Sequence, residues 1–145
     1  MQKELLLKEF DDLKKAIFLL DSSVEKFKPY ELGKIYTPQE LEYYDSLSFR
    51  FEKCVELVLN FYKGLEIILY SKVSDTLRDR LLNMQKIELI DDIDFWIEAG
   101  LLRNKIAHSY LPAQLKDIYV EVTRKSRKIF EYVKRTEKYL QDNIK

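Results

Sequence analysis

From Tyr44 to Ile68 the apolar side chains fall at Tyr44, Leu47, Phe51, Cys54, Val58, Phe61, Leu65 and Ile68, in steps of three and four. On an α-helix that spacing lines up one stripe, whereas a strand would scatter it over both faces. The run predicts a helix of about 30 residues, or about 45 Å. A second such stripe runs through Leu6, Phe10, Leu13, Ile17, Leu20, Val24 and Phe27. With only three glycines and three prolines in 145 residues, the chain lacks the turn residues that a many-stranded fold requires. It is expected to be all-α.

Punctuation divides the chain into about five helices. The first should end near Pro29, and residues 29–37, with Gly33, form a loop. Thr37-Pro38-Gln39-Glu40 reads as a capping box with proline at the first helical position. Gly64, inside the long second helix, costs about 1 kcal/mol against alanine and suggests a close helix crossing. Ser74 is the expected cap of a short third helix through about Gln85. A fourth should begin near Asp91 or Asp92, whose carboxylates suit the positive end of the helix dipole, and stop before Pro112. The last, from about Pro112 to Asn143, would pack through Leu115, Ile118, Val122, Ile129, Val133 and Leu140. No strand-like alternation, repeat or linker interrupts this pattern, so residues 1–145 are expected to form one antiparallel helical bundle.

Composition excludes several classes of function. The lone cysteine, Cys54, cannot form an internal disulfide, and with a single histidine it makes no zinc site. No stretch approaches the roughly 18 uncharged apolar residues of a membrane span, and charge interrupts residues 1–9 too early for a signal peptide. The expected location is the cytoplasm, and no cofactor is called for. Lys plus Arg equals Asp plus Glu at 25 each. Any nucleic acid must therefore be attracted by a local patch rather than by the charge of the whole chain.

The residues with chemistry to offer lie in Arg103-Asn104-Lys105-Ile106-Ala107-His108-Ser109-Tyr110. On a helix Arg103 and Tyr110 fall within about 20° of each other, and Asn104 and His108 form another close pair. Arg103 and His108 are about 140° apart. They reach one substrate only if the helix breaks near His108 or a second copy completes the site. A histidine at a helix end also suits the negative end of the dipole, and that capping role competes with the chemical one.

The pattern R-x4-H-x-Y, behind a Trp96-bearing helix and ahead of Pro112, resembles the signature of HEPN-domain proteins, and with its trailing tyrosine that of HepT-like toxins. Asp45 to Glu52 resembles the second helix of that family less specifically. The resemblance implies an RNA endonuclease that needs no metal, working as a homodimer whose two copies of Arg103 and His108 line one cleft. His108 would act as general base and acid, Arg103 would stabilise the phosphate, and Asn104 would orient the imidazole or the phosphate. It also implies a partner, an MNT-type nucleotidyltransferase antitoxin, that AMPylates Tyr110 and so blocks the cleft. The alternative from the same resemblance is a catalytically silent subunit that serves such a nucleotidyltransferase as scaffold or substrate-binding partner. A plain helical interaction protein with a chance motif is the third reading.

Three further groups have both a chemical and a bland reading. Glu88, Asp91, Asp92, Asp94 and Glu98 contain carboxylate pairs at helical spacing that suit magnesium, a solvated helix start, or a basic partner surface. Arg124, Lys125, Arg127, Lys128, Lys134, Arg135 and Lys138 crowd the last helix, either to steer RNA phosphates or as a solvated face with ion pairs. Tyr30, Tyr36, Tyr43 and Tyr44 surround the first loop, where they can stack bases or pack the loop. Cys54, on the apolar stripe, reads as inert core.

Overall fold

The computed structural model describes residues 2–109 and 111–144. Five helices account for most of them: α1 (Gln2–Glu25), α2 (Pro38–Tyr70), α3 (Leu77–Lys86), α4 (Ile93–His108) and α5 (Pro112–Asn143). The expected all-α bundle is the fold observed, and none of its helices is long and apolar enough to cross a membrane.

The 33-residue α2 is the axis of the bundle. Its Thr37 cap forms both halves of the expected box, the side chain accepting from Glu40 N at 3.1 Å and the Glu40 carboxylate accepting from Thr37 N at 3.1 Å. The buried face of α2 is wider than one stripe, because Ser48, Val55, Tyr62 and Glu66 are buried beside the expected positions. The reason is topological: α1, α3, α4 and α5 all pack on α2. α1 lies antiparallel to it, with Phe10 against Phe61 at one end and Tyr43 Oη donating to Ser23 O at the other. Gly64 does mark a close crossing, since a Cβ there would lie 3.1 Å from Leu6 Cδ1.

α5 runs parallel to α2 and buries a row of small polar side chains. The hydroxyls of Thr123, Ser126 and Thr136 donate to the carbonyls of Tyr119, Val122 and Tyr132, four residues back. Each hydroxyl is thereby satisfied within its own helix, so it can face the core without an orphaned donor. α4 crosses antiparallel to both long helices. Trp96, fully buried, stands edge-on to Tyr62 of α2 and tilted against Tyr132 of α5.

Two expected boundaries shift. α1 ends at Glu25 rather than near Pro29, because Lys26 N and Phe27 N bond to the carbonyls of Ser23 and Val24, three residues back, and tighten the chain out of the helix. The cap of α3 is Thr76, whose side chain accepts from Asp79 N at 3.1 Å, and not Ser74. Ser74 is occupied elsewhere. Its backbone N–H and hydroxyl both donate to the buried carboxylate of Glu66, which also accepts from Arg80 Nε at 3.1 Å and Asn83 Nδ2 at 2.8 Å. Burial opposes ionisation of Glu66, but the donors of Ser74, Asn83 and Arg80 outweigh it and hold the carboxyl below its usual range. This knot ties the α2–α3 turn to the core.

Candidate functional site

α4 starts where sequence places it. Asp92 caps it by accepting from Phe95 N at 3.2 Å, while Asp91 accepts from Tyr132 Oη at 2.6 Å and from Arg135 at 3.1 Å. The helix then continues unbroken through His108, with Ser109 extended beyond it. A break before His108 is therefore not how Arg103 and His108 would be brought together.

The neighbours of α4 fix the direction of each side chain. Trp96 faces α2, and Arg103 lies within about 20° of it around the axis. Arg103 is half-buried on that side, close enough to the half-buried Glu52 of α2 for its charge to act there. Burial raises the Glu52 carboxyl and the Arg103 guanidinium pulls it back. Glu98 faces the other way, toward α5, where Lys125 Nζ lies 3.1 Å from its carboxylate. Between these two sides lies the outward face of α4, with Ile97, Gly100, Leu101, Asn104 and His108 inside an arc of about 100°.

That outward face carries an exposed apolar side chain and open space. Leu101 is 56% exposed, and nothing lies within 4 Å of where a Cβ of Gly100 would stand. Asn104 and His108 are exposed on the same side. The structure thus brings Asn104 and His108 together and turns Arg103 away from both. Tyr110, the fourth expected site residue, lies outside the described residues.

The other candidate groups resolve into packing. The acidic run is dispersed, with Asp91 on Arg135, Asp94 on Arg78 and Glu98 on Lys125. Among the described residues no three His, Cys, Asp or Glu side chains form a group able to hold a metal ion. The tyrosines interlock: Tyr30 stacks on Tyr36 at 4.7 Å and Tyr44 on Tyr119 at 4.6 Å. Their hydroxyls tie down the α1–α2 loop, Tyr44 donating to Lys28 O at 2.7 Å and Tyr36 accepting from Glu31 N at 2.8 Å. Cys54 is fully buried, and burial pushes its thiol up to about 12. Sequence reasoning missed the approach of Glu52 to Arg103, for which a separation of 51 positions left no local signal.

No family model matches this chain, and no curated protein matches it. Among solved structures it is similar to the tri-AMPylated Shewanella oneidensis HEPN toxin in complex with MNT antitoxin, with a TM-score of 0.64. The match covers 91% of this chain and 96% of that one at 18% identity. The chain has the HEPN-like fold, and at that identity the likeness speaks for the fold alone.

Proposed function

We propose that the chain is the toxin of a toxin–antitoxin pair, an RNA endonuclease that needs no metal and acts as a homodimer. The observation that carries this reading is the outward face of α4. An exposed leucine and an unobstructed glycine beside Asn104 and His108 leave room there for a second copy of the same helix. A two-fold pairing there offers the one remaining way for Arg103 and His108, about 140° apart on one unbroken helix, to reach the same phosphate.

The chemistry follows from the side-chain types. Histidine is the residue whose ordinary pKa lies nearest neutrality, so it can take a proton at one step and return it at another. His108 would accept the proton of a ribose 2′-hydroxyl, and the oxygen so formed would attack the adjacent phosphorus. The guanidinium of Arg103, permanently charged and fork-shaped, would stabilise the added negative charge on the five-coordinate phosphate. The imidazolium so formed would hand its proton on to the departing 5′ oxygen. The products are a 2′,3′-cyclic phosphate and a 5′-hydroxyl end. Asn104, on the His108 side of α4, would orient the imidazole or the phosphate.

The similar toxin was solved AMPylated and bound to an MNT antitoxin. By the same reading, a nucleotidyltransferase partner neutralises this chain by adding AMP to Tyr110. The added phosphates would set negative charge and bulk where the RNA phosphate must lie.

The test is incubation of the purified protein with cellular RNA in EDTA, followed by analysis of the new ends. Cyclic phosphates and 5′-hydroxyls, absent with His108→Ala or Arg103→Ala, are the expected result. Intact RNA with the wild-type protein would instead favour a catalytically silent partner of the nucleotidyltransferase.

A further inference from the structure

Along the α5 side of α4 runs an open groove of about 550 Å³. Its cations are Arg124, Lys125, Arg127 and Lys128, against the carboxylates Glu98 and Glu131. With Glu121, which accepts from Arg124, counted beside them, the groove and its rim carry a surplus of one positive charge on a formally neutral chain. Two of the cations are held in place by aromatic faces. Lys125 Nζ lies 5.1 Å over the Phe95 ring with its side chain only 12% exposed, and Lys128 Nζ lies 5.1 Å over Tyr132. Cations fixed in this way lose little freedom when a phosphate arrives. Arg124, which donates to Glu121, and Arg127 stand exposed at the rim.

The groove also points somewhere. Glu98 and Lys105 lie within about 20° of each other on α4, so Lys105 continues the α5 side two turns onward, and His108, one turn later, lies about 60° round toward the outward face. From Glu98 to His108 the helix rises about 15 Å, the span of a few nucleotides of a single strand. On the opposite side of α4, toward α2, the Arg103 guanidinium lies near the carboxylate of Glu52.

We propose that the α4–α5 groove is a subsite for the backbone of single-stranded RNA, holding the nucleotides that flank the phosphate presented to His108. The subsite rests on the nuclease reading for its orientation but binds through its own cations. Attraction of this kind is insensitive to sequence and sensitive to salt. It supplies the local patch that a neutral chain needs for a polyanionic substrate.

The experiment uses the full chain carrying His108→Ala, which should bind without cutting, and a fluorescein-labelled 20-nucleotide single-stranded RNA. Anisotropy is measured across a potassium chloride series, with circular dichroism to check folding. Adding Arg124→Glu and Arg127→Glu should weaken binding about tenfold or more and flatten the slope of log affinity against log salt by about 1.4, the value for two lost phosphate contacts. The milder pair Arg124→Gln and Arg127→Gln should give a smaller shift in the same direction. A control with the same change in net charge, Lys15→Glu with Lys63→Glu, replaces exposed lysines of α1 and α2 and should move affinity less than twofold. Equal losses from the groove pair and the control overturn the subsite, as does unchanged RNA binding. Loss of binding to polyglutamate with RNA binding intact overturns it in favour of an acidic protein partner. If wild type cuts RNA while the groove pair binds it normally, the subsite falls and the nuclease stands. Groove-dependent binding without cleavage by wild type keeps the subsite and removes the nuclease.

Discussion

Mixing two inactive variants gives the sharpest test of a shared site. Arg103→Ala should lower cleavage about 100-fold or more by removing the charge that meets the phosphate, and His108→Ala should do so by removing the general base. Because α4 is unbroken and turns the two side chains to different sides, each active centre of the proposed dimer would take its guanidinium from one protomer and its imidazole from the other. In a heterodimer of the two variants, one such pairing is intact and the other lacks both groups. Random reassociation makes about half of the dimers heterodimeric, and each holds half of the normal complement, so the mixture should recover about a quarter of the wild-type rate. Heterodimers isolated through two different tags should reach about half. The assay is cleavage of a fluorescent RNA in EDTA after co-refolding of the two variants. A mixture that stays at the level of its components refutes the shared site, as does full activity in a protein that sediments as a monomer.

Two further outcomes follow from the same structure. Leu101→Asp places a charge on the outward face of α4, where the leucine is 56% exposed, so the isolated fold should lose less than about 0.5 kcal/mol. In a two-fold interface each copy forfeits about 1–2 kcal/mol of apolar burial, and the effect counts twice, raising the dimer Kd about 30-fold or more. Sedimentation velocity across a dilution series reads this directly, and an undisturbed dimer would rule out the α4 interface. Glu66→Gln leaves Arg80 without its buried carboxylate and breaks part of a four-donor knot, at a cost of about 3 kcal/mol or about 10 °C in Tm. Since the folded carboxyl is held below its usual range, its contribution is complete above the unfolded value of about 4.3 and fades as pH falls through the folded one. Urea unfolding at pH 7 and pH 3 should show the gap between wild type and variant narrowing with acid; a gap that widens contradicts the assignment.

How much was legible in advance depends on how far apart the interacting residues are. Helices are closed by bonds between residues four apart, so their existence, their apolar stripes and the Thr37 box could be read from spacing alone. Cys54, on the stripe of α2, was placed in the core for the same reason. The motif from Arg103 to Tyr110 was visible because its members share a few turns of chain, and so was the angle that keeps Arg103 and His108 apart. Ser74 was expected to cap α3 where Thr76 does, since nothing local tells a serine that caps from one held by a carboxylate on another helix.

Tertiary packing settled what each surface group is free to do. Asp91 pairs with Tyr132 and Arg135, partners 41 and 44 residues away, and Glu98 pairs with Lys125, 27 away, so the acidic run became a set of separate contacts. Packing also turned Arg103 toward Glu52 and left Leu101, Gly100 and His108 facing outward. Hydrophobic spacing specifies which face of a helix is buried but carries no address for the partner that buries it. That address is fixed only when α2 collects the other four helices around itself.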